Sequence, residues 1–212
     1  MTQLAAHGAR AEKTRTAILA AAESLFAERG FDATRLEDIA ESVGIRRASI
    51  VYYFRDKREL YDAVLADVLL GVREALERAL AKELPPAQRI DAAVSAWIEQ
   101  VGRRPNTARL ILREAANASS EFGSAVWEHS RPVAELIRRE FVERRDVREA
   151  GLAKIDPIHV ASTIAGATVF FVAAMPRLLP DRALDPTRPD HMAAHKQAML
   201  GVVHRLLGTP ET

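Results

Sequence analysis

Apolar residues recur at helical spacing along almost the whole chain, and no run of β-branched alternation appears, so the pattern predicts an all-α protein. Ile18, Leu19, Ala22, Leu25 and Phe26 form one stripe that stops at Gly30, which places a first helix over about residues 11–29. Thr34 precedes Glu37 by three, a capping-box spacing, and opens a second helix of about nine residues ending at Val43. Gly44 supplies a sharp turn, and periodicity resumes from Arg46 to Phe54. A second capping box, Asp56 with Glu59, starts a longer helix with Leu60, Val64, Val68 and Val72 on one face, ending near Lys82 before Pro85 and Pro86. Breakers then separate five further helices, at about 87–102, 106–117, 121–148, 158–175 and 190–207. The expected total is about nine. Residues 1–10 read as a mobile tail, 11–56 as one domain and 57–212 as a second.

A longer helix followed by two short ones around a glycine turn is the layout of a helix-turn-helix that reads DNA. Net charge is only +1 over 212 residues, so overall charge decides nothing. Its distribution does. Between Ile45 and Arg58 five basic residues stand against the single Asp56, a net +4 in fourteen positions. In the third helix Ile50 and Phe54 share a face with Tyr53 beside them, and should pack inward. Arg46, Arg47, Ala48, Ser49, Val51 and Tyr52 then face outward. These are the types that DNA contact needs: guanidinium groups for phosphates or guanine edges, hydroxyls for phosphates, and small apolar groups for thymine methyls.

The run from Thr34 through Leu60, TRLEDIAESVGIRRASIVYYFRDKREL, resembles the N-terminal signature of TetR-family repressors of the AcrR-like, ligand-responsive kind. The resemblance covers roughly residues 11 to 62. It rests on Asp38-Ile39-Ala40, the Gly44 turn, the Tyr53-Phe54 pair and the Asp56-Lys57-x-Glu59-Leu60 run together. It implies phosphate contacts at Arg47 and Lys57, a backbone-anchoring hydroxyl at Thr34, and Ser49 and Tyr52 on the DNA face. Two positions depart from the family pattern. Arg46 stands where a capping Ser or Thr is common, and Val51 where many members carry a phosphate-binding Tyr, so Arg46 offers a different base or phosphate contact. The resemblance further implies C-terminal helices that dimerise and enclose an inducer.

The residues of that half carry their own signals. Pro157 to Pro176 is uncharged and apolar nearly all round, with small residues four apart at Ala161 and Ala165 and at Ser162 and Gly166. This suits a helix buried on more than one side, and the alternative of a membrane span is weakened by His159, Ser162, Thr163 and Thr168. Paired with the last helix through Val202, Val203, Leu206 and Leu207, it is expected to form a four-helix homodimer interface and to demand a near-palindromic operator in double-stranded DNA. Trp97, Asn117, Trp127 and Phe170 are the candidates for a small hydrophobic effector, against the alternative that each merely fills a core. His191 and His195 lie one turn apart but lack a zinc-protease pattern and read as surface histidines, so no metal or cofactor is expected. The chain contains no cysteine, which excludes thiolate chemistry and fits a cytoplasmic protein. Absence of GxSxG, phosphate-loop and HExxH patterns argues against an enzyme. Two regulator readings stay open: a repressor released by a small hydrophobic or aromatic molecule, or a regulator of the same fold that takes no ligand and answers to a partner protein or to nothing. A continuous cavity among the C-terminal helices separates them.

Overall fold

Leu60, Val64, Val68, Val72, Leu76 and Leu80 are spaced four apart, and every one is buried. They form the inner stripe of α4, Lys57–Leu80. The computed structural model describes residues 2–116, 123–149 and 156–208, and among these there is no strand. The chain divides into two compact units, Met1–Asp67 and Val68–Thr212.

The first unit holds α1 (Thr2–Arg29), α2 (Leu36–Val43), α3 (Arg47–Tyr53) and the opening turns of α4. α1 begins at Thr2 rather than near Ala11, since the alanines and other good helix formers before residue 11 are interrupted only by Gly8. Ile18, Ala22 and Phe26 of α1, Ile39 of α2, Ile50 of α3 and Leu60 with Tyr61 of α4 form its core. The ring of Tyr61 meets Phe26 edge-on at 4.8 Å and Phe31 at 5.1 Å. Such contacts add to the burial of two large rings and fix the start of α4 against the α1–α2 loop.

The second unit holds α5 (Pro86–Arg103), α6 (Asn106–Ala116), α7 (Gly123–Arg138), α8 (Arg145–Glu149), α9 (Pro157–Ala173), α10 (Met175–Leu178) and α11 (Pro189–Leu207). Among the described residues, helices of seven residues or more number nine, and α8 and α10 are single turns. No helix there is long and apolar enough to cross a membrane. One core joins Val94, Ile98 and Val101 of α5, Ala108 of α6, Ile164, Val169 and Val172 of α9, and Val203 and Leu207 of α11. Gly102 lies inside α5 and ends nothing; a Cβ there would stand 3.2 Å from the Met192 side chain, so the glycine permits α11 to approach. His204 Nε2 lies 2.7 Å from Asp91 Oδ1, and Lys196 donates to Glu99 at 2.8 Å, both tying α11 to α5.

The single helix expected over 121–148 is instead broken. α7 widens into a π turn at Arg139–Glu143, and Arg144 leaves helical geometry. Glu140 sits in that turn, buried, and accepts from Arg89 Nη1 at 3.1 Å. Arg89 is 1% exposed and also donates to the Leu80 carbonyl at 3.3 Å. An arginine so far from water is tolerable only because a carboxylate answers it. Glu140→Ala should therefore cost about 3–5 kcal/mol in urea unfolding, and R89M/E140M should regain most of that. A single variant with no measurable loss would show that the pair is dispensable.

Candidate nucleic-acid interface

The turn between α2 and α3 sets the direction of everything after it. Gly44 takes φ 72° and ψ 33°, a left-handed conformation that side chains resist. The Ile45 N–H then donates to the Ala40 carbonyl at 2.9 Å, and the Gly44 N–H to Glu41 at 3.0 Å. Two orphan carbonyls are satisfied, and the chain doubles back into α3.

α3 behaves as its periodicity predicts. Ile50 and Phe54 are buried, while Tyr52 is 80% exposed and Val51 44%. Arg46, Arg47 and Ala48 are exposed, and Ser49 is half-buried. The ring of Tyr53 stands edge-on to Tyr52 at 5.1 Å, and the Arg15 guanidinium lies 5.4 Å from the Phe54 ring, pinning the end of α3 to α1. Arg47 Nε is 3.1 Å from Glu37 Oε1, an exposed pair that an incoming phosphate can displace at little cost. The structure thus gathers Arg46, Arg47, Ala48, Ser49, Val51 and Tyr52 around one short helix.

Thr34 does not join them. Its side chain has no exposed surface, and its hydroxyl donates to the Gly30 carbonyl at 2.7 Å and the Leu25 carbonyl at 3.3 Å. The residue closes the α1–α2 loop from within and leaves no side-chain surface open to a partner. The cap of α2 accordingly moves one residue on: Asp38 accepts from the Arg35 N–H at 3.4 Å, in place of the expected Thr34 and Glu37 pair.

Lys57 also departs from the role that the family resemblance implies. Its ammonium donates to the carbonyls of Phe31 at 2.8 Å, Thr34 at 3.1 Å and Asp32 at 3.4 Å, and lies 4.3 Å from the Phe31 ring centre. Three donors meet three carbonyls, so no donor is left for a phosphate. This lysine fastens the first turn of α4 to the α1–α2 loop. The second capping box forms nearly as expected: Asp56 accepts from the Glu59 N–H at 2.8 Å, while Glu59 reaches past Asp56 to the Arg55 N–H at 2.9 Å. The bond from the Glu59 N–H, followed by the Arg55 guanidinium, holds the Asp56 carboxyl below the usual carboxylate range.

The second unit contains a cavity of about 210 Å³ bounded by Leu76, Ile90, Ala93, Val94, Trp97, Val133, Ile137, Phe141, Val147, Val160, Ala161, Ile164, Ala165 and Leu207. Of the candidate effector residues, Trp97 bounds this space. Phe170 does not; it is 48% exposed on the opposite face of α9, in line with Ile158, Ser162 and Gly166. Asn117 lies outside the described residues, as does the side chain of Trp127. The histidines also differ from expectation. His195 is buried, stacked on Phe171 at 4.2 Å with its Nε2 3.2 Å from Thr168 Oγ1, and burial lowers its pKa. His191 Nδ1 accepts from the Asp185 N–H at 3.0 Å. Among the described residues no cluster of metal-ligating side chains occurs.

Residues 18–64 match the family model for bacterial regulatory proteins of the TetR family. Similar solved structures cover nearly the whole chain. FadR from Bacillus subtilis, in complex with stearoyl-CoA, is 16% identical over 89% of this chain and 96% of its own, with a TM-score of 0.70. A putative transcriptional regulator from Streptomyces coelicolor is 25% identical over 93% and 99%, with a TM-score of 0.65. AibR, in complex with isovaleryl coenzyme A and operator DNA, is 17% identical over 89% and 97%, with a TM-score of 0.64.

If Thr34 is an internal fastener, Thr34→Val should cost about 1 kcal/mol in urea unfolding and leave DNA affinity by fluorescence anisotropy unchanged. Weaker DNA binding at unaltered stability would return the residue to the interface. The helix-turn-helix region thus carries the match to bacterial regulatory proteins of the TetR family, over residues 18–64, and the chain as a whole has the fold of the similar solved structures.

Proposed function

We propose that the protein is a homodimeric repressor that grips a near-palindromic operator through α3 and releases it when a small hydrophobic molecule occupies the C-terminal cavity. The observation that carries the DNA reading is the division of α3 into a buried Ile50–Phe54 edge and an exposed face bearing Arg46, Arg47, Val51 and the fully projecting Tyr52. Arg46 and Arg47 supply phosphate or guanine contacts, Ser49 a hydroxyl, and Ala48 with Val51 the apolar surface for thymine methyls. Tyr52 reads base edges or sugar at the centre of the contact.

Two exposed stripes support the dimer. Ile158, Ser162, Gly166 and Phe170 line one side of α9 at four-residue spacing, and Ala194, Ala198 and Leu206 line the free side of α11. Small residues between large apolar ones allow two pairs of helices to close into a four-helix bundle around a twofold axis. The two copies of α3 would then meet half-sites one or more duplex turns apart, about 34–36 Å per turn.

The continuous apolar cavity favours a ligand-responsive regulator over one that takes no ligand. Two structurally similar proteins, FadR from Bacillus subtilis and AibR, were crystallised in complex with acyl-coenzyme A ligands, and an acyl chain is chemically compatible with this lining.

Footprinting on DNA flanking the gene should locate the operator. On that fragment Arg47→Ala should weaken all sequences alike and reduce the salt slope of binding by about one, whereas an unchanged slope removes Arg47 from the phosphate contacts. Tyr52→Ala should alter sequence preference more than overall grip. Phe170→Glu should give monomers in sedimentation velocity and abolish operator binding at concentrations where the parent is bound; a dimeric F170E protein would place the interface elsewhere.

A further inference from the structure

Glu37 stands in a place that its local pattern does not explain. Its spacing from Thr34 suits a capping box, yet Asp38 caps α2 and the Thr34 hydroxyl turns inward. The Glu37 side chain is 60% exposed, and its Oε1 lies 3.1 Å from Arg47 Nε, so α2 sets a carboxylate against the first residue of α3. The two line a surface groove together with Arg35, Val51 and Arg55. Asp56, in the same groove, is engaged elsewhere: it accepts from the Glu59 N–H at 2.8 Å and lies 3.2 Å from Arg55.

A carboxylate in this position opposes DNA binding unless something answers it. Any phosphate or base edge that the Arg47 guanidinium meets lies within a Debye length of Glu37, about 8 Å at physiological ionic strength, so the charge is felt there. Phosphate oxygens are anionic and only accept hydrogen bonds. The backbone of any duplex therefore repels Glu37 and, in taking Arg47, deprives it of its partner. Base edges differ. In the major groove they offer donors as exocyclic amino groups, N4 of cytosine and N6 of adenine. A carboxylate among arginines thus lowers binding to most sequences and is satisfied where an amino group stands within reach, which is discrimination by penalty.

Resting on the reading of α3 as the DNA-binding helix, we propose that Glu37 is a specificity-determining residue. Paired with Arg47 in the free protein, it weakens binding to random duplex; in the operator it accepts a hydrogen bond from the amino group of a cytosine or an adenine. Arg47 supplies the common grip, and Glu37 selects.

The test compares the full-length protein with its Glu37→Ala variant by fluorescence anisotropy, on the footprinted operator and on a random duplex of equal length. E37A should bind the random duplex roughly two- to fivefold more tightly. The ratio of operator to random affinity should fall about fivefold or more. Single base-pair exchanges through the operator should reveal one pair whose loss weakens the parent and not E37A, and its identity tells cytosine from adenine. Glu37→Gln keeps the side-chain length without the charge; it should show the same gain on random duplex and guards against a folding defect in E37A. Equal gains on both duplexes, with every base-pair preference intact, would reduce Glu37 to a bare charge and overturn the proposal. Unchanged binding to both would overturn it too, as would equal losses on both, which would make Glu37 a support for Arg47. A parent protein that protects no fragment and binds no duplex would sink the reading of α3 itself.

Discussion

Ile50 and Phe54 stand one helical turn apart, and both surrender their surface to the core of the first unit. α3 has seven residues, too few to hold a helix in water by backbone hydrogen bonds alone. Its existence and its direction both come from those two side chains, the Arg15 contact on Phe54 and the left-handed turn at Gly44. The face that remains is exposed as a consequence of how the helix is held. Tyr52 projects because it lies on the side of the helix opposite Ile50 and Phe54. Recognition chemistry is thus a by-product of one buried edge.

The parts of the molecule that were legible from sequence are those whose causes lie within a few residues. The Leu60, Val64, Val68, Val72 stripe, the Gly44 turn and the Asp56 cap depend on neighbours at three or four positions' distance, and each appears as the pattern implied. Residues that answer to distant partners were not legible. Lys57 is claimed by carbonyls 23 to 26 positions earlier, and Glu140 by an arginine 51 positions earlier. Thr34 looks like an N-cap locally, yet the loop from Gly30 turns its hydroxyl inward and passes the cap to Arg35 and Asp38. On α9 the difficulty is of another kind. A helix apolar nearly all round gives no periodicity with which to decide that Ile164 faces inward and Phe170 outward.

The same lack of polarity that hides the facing of α9 makes the second unit receptive. Its core leaves a space open among α4, α5, α7, α8, α9 and α11. An occupant that restores those lost van der Waals contacts stabilises whichever arrangement of these helices encloses it best. Coupling to DNA binding needs only that this arrangement differ from the one that suits the operator.

Three alanines, Ala93, Ala161 and Ala165, belong to the wall of that space. Their methyl groups act as a gauge of occupant length, since exchange for a longer aliphatic side chain would shorten the chamber by a carbon or two. Apolar walls discriminate modestly, at about 1–3 kcal/mol per methylene, so a single exchange would grade neighbouring homologues of an effector rather than admit one and bar the rest. Under the proposed function, descendants of such a protein could therefore drift from one effector to the next by small steps, with α3 left untouched.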